Sequence, residues 1–456
     1  MILTIHGQRY HMNEPMTLLM FMQQEGISGV YAACNGQGTC GKCQVQIQEA
    51  GQVEPRLVQA CEYVPTKDVE VLMPADKMPV DKMPMKGTNT RGTNEEEADL
   101  EVMALGIDIG TTNVCYQMVC ETADGEQHIS KEQIIANPQA VYGADVMHRI
   151  QAANEGHLGH LHQMIEATLR DVCADVEAVS ASEVQTIAKT PIVKTQIPII
   201  ISANTTMRYF LEERDPKRLG ASPYEAEQIG WGKVNIGGYE CDIIPGISAF
   251  VGGDIVSGIY ALQMIEREET SLLLDLGTNG EMALAYQEHL YCSSAPAGPA
   301  FETQKLEYGS HLIRECSRML DHGEMDENGN LIENSYQQEL QQDIRTLQLG
   351  KSAIRAGAES LLHEAGITWL DISRIYLAGN FGRRVSPQDI CRIGLLPTEI
   401  EDRIQIVGNV SLFGAVKLGQ YPQDRSKIDA IVASAATLSL ADTAYFGDKF
   451  IEYMFF

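Results

Sequence analysis

Four cysteines crowd one short stretch of the chain. They are Cys34-Asn-Gly-Gln-Gly-Thr-Cys40-Gly-Lys-Cys43 followed by Cys61, with the spacing C-x5-C-x2-C-x17-C. Three thiolates in a tight loop and a fourth returning from a later strand can surround a two-iron rhomb. The glycines between them permit the positive φ values and close backbone approach that such a loop needs. Their N–H groups can also bond to the cluster sulfurs and tune its potential. Two other readings of these residues stand beside this one. Gly36-x-Gly38-x-x-Gly41 matches the dinucleotide fingerprint, but a cysteine interrupts it and no βαβ context surrounds it. Cys40-x-x-Cys43 alone fits a redox dithiol or half a zinc site.

A second set of residues suits phosphate chemistry. Ala104-Leu-Gly-Ile-Asp108-Ile-Gly110-Thr111-Thr112-Asn113 is an apolar strand that ends in Asp and runs into a Gly/Thr turn. A second copy, Leu272-Leu-Leu-Asp275-Leu-Gly277-Thr278-Asn279-Gly280-Glu281, follows 167 residues later. An Asp at a strand end can hold hydrated Mg²⁺ or orient a water, while Gly and Thr let N–H and hydroxyl groups close on phosphates. Either copy alone is a common turn. Two copies can grip a nucleotide triphosphate from both sides. Plain turn formation is the simpler reading for Thr112 and Asn113, and Glu281 either serves as a base or starts a strand. A third segment, Ile375-Tyr-Leu-Ala378-Gly379-Asn380-Phe381-Gly382, is a strand and turn in which a flat base can lie close to the backbone.

The elements that must position these groups fall into three parts. Residues 1–74 read as a small β-rich unit: a hairpin at Ile2–Ile5 and Gln8–Met12, a helix at Thr17–Gln24, the cysteine loop, then strands at Gln44–Gln48 and Val69–Met73. That order fits a β-grasp arrangement. Residues 75–100 are a linker, in which Met-Pro-x-Asp-Lys repeats favour extended backbone and an acidic run, Glu95-Glu96-Glu97, follows. As a flexible coil it spans ~30 Å on average and reaches about 80 Å when stretched. From 101 to 456, hairpins alternate with helical stretches, as in a two-lobed α/β domain. Helices are expected at 144–155, 158–174, 204–213, 254–267, 341–365, 411–419 and 428–440.

Family resemblance enters on these motifs. The cysteine spacing looks like the plant-type or adrenodoxin-like [2Fe–2S] ferredoxin motif, with Cys34, Cys40, Cys43 and Cys61 as ligands. The ordered trio D-x-G-T-T, D-x-G-T-N-G and A-G-N-F-G resembles the phosphate 1, phosphate 2 and adenosine motifs of the acetate and sugar kinase/Hsp70/actin superfamily, whose nucleotide-binding core is ribonuclease H-like. Gly143-Ala-Asp145-Val and Gly414-Ala-Val416 look like its two connecting helices. The resemblance implies that Asp108 and Asp275 organise Mg²⁺ and the attacking water, with Glu281 as a further catalytic candidate. Gly110, Thr111, Thr112, Asn113, Gly277, Thr278, Asn279 and Gly280 would bind phosphates, and Gly379 and Asn380 would sit against adenosine.

The fusion of the two halves is similar to the reductive activators of corrinoid proteins. Ser202-Ala-Asn204-Thr205-Thr206-Met207, Phe250-Val-Gly252-Gly253-Asp254 and the run from Ala295 to Glu302 support that family. It implies an ATP-hydrolysing iron–sulfur oxidoreductase that passes one electron from the cluster to reduce Co(II) to Co(I) for methyl transfer. It also implies a corrinoid protein as partner, an external low-potential electron donor, and a homodimer. Longer members carry a middle domain after the linker, which is expected to be missing here. Two alternatives are an ATP-driven electron donor to a non-corrinoid metalloenzyme and a small-molecule kinase with a redox-sensing ferredoxin domain.

Composition sets the outer bounds. With 44% hydrophobic and 21% charged residues the chain is an ordinary globular one. A net charge of −28 repels nucleic acid and anionic membrane surfaces. The N-terminus lacks an apolar signal core, so the cytoplasm is the expected location. The seven cysteines scattered after residue 100 read as small buried hydrophobes. His157, His160 and His162 read as surface residues, and Lys351 and Arg355 lie one helical turn apart, facing either the nucleotide or neighbouring acids.

Overall fold

The computed structural model describes residues 1–5, 8–12, 15–25, 27, 30, 43–49, 55–72, 100–122, 125–181, 197–277, 279–298, 309–332, 338–379 and 385–456. Cys34, Cys40, Thr278, Asn380 and the linker up to residue 99 lie outside them.

In the N-terminal unit, alternating burial along β3 puts Val45 and Ile47 into the core and their neighbours outward. Strands β1 (Ile2–Ile5) and β2 (Gln8–His11), helix α1 (Leu18–Gln24), and strands β3 (Gln44–Glu49), β4 (Arg56–Gln59) and β5 (Val69–Leu72) make one mixed sheet in the order β2-β1-β5-β3-β4. The parallel pairing of β1 with β5 closes the chain ends of the unit together. The expected hairpin, helix and later strands are all present. β4, which has no clean period-two pattern, is additional. Thr17 caps α1 by accepting from the Met20 N–H at 3.2 Å.

The first lobe is built on β6 (Leu100–Ile109), β7 (Asn113–Thr122), β8 (Gln127–Ile129), β9 (Gln133–Ala136), α2 (Val146–Ala152), α3 (Leu158–Ala181), β10 (Ile199–Ala203), α4 (Thr205–Leu211), β11 (Gly232–Ile236), β12 (Tyr239–Ile243) and α5 (Gly253–Leu262). Its strands run in the order β11-β12-β10-β6-β7-β8, and β9 also pairs with β7. All five residues of β10 are buried, as a central strand flanked by parallel neighbours requires.

The second lobe comprises β13 (Ser271–Leu276), β14 (Gly280–Tyr286), β15 (His289–Ala295), α6 (Gly309–Asp321), α7 (Gln338–Ala365), β16 (Arg374–Ala378), α8 (Pro387–Arg392), β17 (Ile404–Gly408), α9 (Val410–Gln420), α10 (Arg425–Ser434), β18 (Ala435–Thr437) and α11 (Ala444–Glu452). The strand order is β17-β16-β13-β14-β15-β18. The two lobes repeat one plan. β6 and β13 each pair antiparallel with the strand that follows and parallel with a later one on the other side.

Between the lobes α9 crosses α5 at close range. A Cβ on Gly414 would stand 2.2 Å from the Ser257 carbonyl oxygen, so only glycine lets the two backbones approach this far. The segment Gly414-Ala-Val416, read as a connecting helix, lies on α9 and packs on α5. Gly143 ends a short 3-10 turn at Pro138–Tyr142, and Asp145 caps α2 by accepting from the His148 N–H.

Several other expectations resolve here. All seven scattered cysteines are buried, as expected. The three histidines are not simple surface residues. His160 Nδ1 lies 3.1 Å from the Tyr142 hydroxyl, and His162 Nδ1 lies 3.0 Å from the Leu211 carbonyl oxygen. Lys351 and Arg355 serve the C-terminal tail. The Lys351 ammonium donates to the carbonyls of Tyr453, at 2.8 Å, and Phe455, and Arg355 lies between the rings of Trp369 and Tyr453. Burial pushes the Lys351 pKa down to about 7. Among the described residues no helix is long and apolar enough to cross a membrane.

Candidate nucleotide site

Two turns follow the ends of the repeated strands β6 and β13. In the first, the Gly110 N–H donates to the Asn113 carbonyl at 2.9 Å; in the second, the Gly277 N–H donates to the Asn279 carbonyl at 3.0 Å. Each turn is closed by the N–H of its first glycine, over three residues in the first turn and over two in the second. Thr111 is buried and its Oγ1 accepts from Asn204 Nδ2 at 3.2 Å, whereas Thr112 is exposed.

The strand-end acids converge. Asp108 pairs in register with Ser202 on β10 and Cys115 on β7. Asp275 stands directly opposite Glu281 across the β13–β14 ladder. Like charges in that position destabilise a sheet. Asp254, in the first turn of α5, joins them: Asp108 raises the pKa of Asp254 and Asp275, Asp254 raises those of Asp275 and Glu281, and Asp275 raises that of Glu281. All four remain partly open to solvent and are not sealed in a core.

Burial is the main cause of a uniform upward shift. Asp108 rises to about 6, held back by hydrogen bonds from Ser411 and Asn409. Asp254 and Asp275 rise to about 7, burial acting first and neighbouring acids second. Glu281 is raised well above the ordinary carboxylate range for the same reasons. An acid with a folded pKa above its unfolded one lends stability that is fully present below the unfolded value and is lost as pH rises through the folded value. Stability of the lobes is therefore expected to fall between pH 4 and 8. Mg²⁺ with nucleotide is expected to flatten that fall in thermal melts.

Sequence reasoning missed the groups that hold Asp108 in place. Ser411 Oγ donates to Asp108 Oδ1 at 2.6 Å, Asn409 Nδ2 donates to Oδ2 at 3.0 Å, and Ser202 Oγ lies 2.8 Å from Ser411 Oγ. Asn409 also reaches Glu132 Oε1 at 3.4 Å. Ser411 and Asn409 lie at the start of α9, where Asn409 caps the helix through the Leu412 N–H. The only local signal was the cap pattern Asn-Val-Ser ahead of an apolar run. Asp254 was within reach, because the segment Phe250–Asp254 stood out without a role attached.

Gly379 is placed behind Asp275, with φ +90° and its N–H donating to the Gly408 carbonyl at 3.0 Å. A Cβ there would meet the Leu276 carbonyl oxygen at 2.6 Å and Asp275 Oδ1 at 2.9 Å. Gly379→Ala is expected to cost ~1–3 kcal/mol in denaturant unfolding and to displace the Asp275 carboxyl. Unchanged stability would refute that account.

At the N-terminal unit, Cys43 and Cys61 bring their sulfurs within 3.2 Å, with Cys43 buried and Cys61 half-buried. The Ala60 N–H donates to the Cys43 carbonyl at 2.8 Å and fixes the two segments side by side.

Among known proteins, residues 103–267 match the model of the RACo middle region, and residues 269–315 and 335–456 match that of the C-terminal domain of RACo, the ASKHA domain. The first match corrects the expectation of a missing middle domain: the stretch that follows the linker matches that region. A "corrinoid activation enzyme RamQ" of Eubacterium limosum is 24% identical over 399 residues, covering 70% of this chain and 64% of its own length. A "[Co(II) methylated amine-specific corrinoid protein] reductase" of Methanosarcina barkeri is 22% identical over 404 residues, covering 74% of this chain and 72% of its own. The solved structure of a "reductive activator for corrinoid,iron-sulfur protein" shares the fold, with TM-score 0.66, 20% identity, and coverage of 100% of this chain and 98% of that one. With its middle region and its ASKHA domain both matched, the chain belongs to the RACo family.

Proposed function

We propose that this chain is an ATP-dependent reductive activator that passes one electron from a [2Fe–2S] cluster to a corrinoid protein, reducing Co(II) to Co(I) for methyl transfer. The observation that carries the reading is the pairing, on one chain, of two strand–Asp–Gly turns whose acids act on one another with a cysteine cluster motif whose Cys43 and Cys61 sulfurs lie 3.2 Å apart.

The residues suit the implied groups. Cys43 and Cys61 are close enough to share one iron, and Cys34 and Cys40 would supply the other pair. Four acids whose charged forms oppose one another suit a hydrated cation, which would be bound through water, since no group of three or more metal-ligating side chains is drawn tightly together among the described residues. When bound, the cluster supplies a one-electron carrier and Mg²⁺ supplies positive charge against the phosphates.

The chain's own side chains do the rest. The Gly110–Asn113 and Gly277–Gly280 turns present N–H and hydroxyl groups to phosphate oxygens. Asp275 or Glu281 accepts a proton from the attacking water, a role to which Asp275, raised by burial to about 7, is matched. Ser411 and Asn409 hold the Asp108 carboxylate at a fixed orientation.

Plant-type clusters sit near −400 mV, and the corrinoid couple is lower. Each ~59 mV uphill loses about tenfold in the equilibrium constant. Lobe closure on ATP offsets that by favouring a complex with altered cobalt ligation. The linker lets the cluster domain visit both donor and acceptor.

The test is anaerobic. The reconstituted, reduced protein is mixed with a Co(II) corrinoid protein and the Co(I) absorbance followed with and without ATP. Co(I) appearing only with ATP is the expected result. ATP hydrolysis with no change at cobalt would defeat the reading and bring forward the kinase and non-corrinoid alternatives.

A further inference from the structure

One short turn touches both the first phosphate loop and the N-terminal unit. On its inner side, Asn137 is buried and its Nδ2 donates to the Gly110 carbonyl at 2.8 Å, while its N–H donates to the Thr112 carbonyl at 2.8 Å. Arg149, wholly buried, ties the far end of the same turn to the same loop. Its Nε donates to the Gly143 carbonyl at 2.9 Å and its NH2 to the Thr111 carbonyl at 2.7 Å. A buried guanidinium held by carbonyls has little freedom to shift without moving both ends.

On its outer side, the turn receives α1. Gln23 Nε2 donates to the Val141 carbonyl at 3.0 Å, and the Tyr142 hydroxyl donates to the Gln23 carbonyl. Tyr142 is fully buried, and its hydroxyl also meets His160 Nδ1 at 3.1 Å. Leu18, Leu19, Phe21 and Met22 of α1 share a continuous buried cluster with Val141 and Tyr142. The contact is thus an apolar surface pinned by two hydrogen bonds, and it lies at the C-terminal end of α1. The N-terminal end leans on the Cys61 segment instead, with the Leu19 N–H donating to the Ala60 carbonyl at 2.9 Å. Seven helical residues separate the two ends by ~10 Å.

We infer that the turn 137–142 couples nucleotide at the first phosphate loop to docking of the N-terminal cysteine domain on the first lobe. Any movement of Gly110–Thr112 against a phosphate moves Asn137 and Arg149, and with them the two groups that hold Gln23. The coupling is reciprocal: docking changes nucleotide affinity by the factor by which nucleotide changes docking. This rests on the nucleotide reading above and adds to it a control over where the cysteine domain resides.

Hydrogen exchange on the full chain, with and without Mg²⁺ and the ATP analogue AMPPNP, tests it. The expected result is a response of the loop 110–113 together with a change of about fivefold or more at the amides of Phe21–Glu25. In Tyr142→Phe and Gln23→Ala the loop still responds, the Phe21–Glu25 response is lost, and the AMPPNP dissociation constant shifts by a similar factor. A response at the loop with none at Phe21–Glu25 in the unaltered protein overturns the coupling alone. A full response at Phe21–Glu25 in both variants overturns the route through the turn. No response at either place overturns the nucleotide reading and the coupling with it.

Discussion

Asp275→Asn is expected to stop ATP turnover and at the same time make the folded protein more stable at pH 8. Asp275 ends β13 opposite Glu281, with Asp254 and Asp108 close enough to raise its pKa to about 7 together with burial. Removing a positioned proton acceptor costs about 10²–10⁴-fold in rate. Removing a charge that the fold opposes gains stability wherever that charge would exist. The window follows from the sign: the folded pKa lies above the unfolded one, so the penalty is absent below pH ~4, grows as pH rises, and is complete above about 7. One pKa unit is about 1.4 kcal/mol, so the stabilisation at pH 8 is expected to be on the order of 2 kcal/mol or more. For lobes of this size that is a rise in Tm of about 4 °C or more. Thermal melts at pH 5 and pH 8, paired with a phosphate-release assay, check both halves. Full turnover in the variant, or a Tm at pH 8 no higher than that of the parent, would remove Asp275 from its assigned place.

Cys61→Ser is expected to separate the two halves of the protein. Its sulfur lies 3.2 Å from that of Cys43 on a segment locked by the Ala60–Cys43 backbone bond. Loss of one thiolate from a four-thiolate set should leave the N-terminal unit folded, since its core of Leu3, Ile5, Val45 and Ile47 is untouched. Iron content and visible absorption are expected to fall sharply, and formation of Co(I) to disappear. Phosphate release in the absence of a corrinoid protein is expected to persist, because the four acids belong to the lobes. Retained activation by a variant without iron would sink the electron-transfer role of the cysteines.

Much of the site was legible because its chemistry is local. A strand that ends in Asp and turns on Gly needs only consecutive residues, so Asp108, Asp275 and both turns could be located without a structure. The same is true of the α1 and α7 helices. Ser411, by contrast, bonds to a carboxylate 303 residues away. No local period announces that distance, and a Ser after a helix cap reads as a cap and nothing more. Asp254 was visible as part of an unusual Gly-Gly-Asp run, but its effect on Asp108 and Asp275 needed the helix that carries it. Gly143 and Gly414 look alike in sequence, yet the first ends a short turn and the second lies where α9 crosses α5. Only the steric limit at Gly414 against Ser257 distinguishes a helix crossing from a turn.

The sequence by itself therefore determined the kinds of chemistry available: thiolates in a cluster spacing, and acids at strand ends beside phosphate-sized turns. These follow from covalent neighbours and backbone freedom. Tertiary structure alone decided how the acids act on one another, which groups steady Asp108, and that α1 rests on the turn leading to the first phosphate loop. Charge repulsion, burial and hydrogen-bond reach depend on distances through space, and chain folding sets those distances between residues far apart in order.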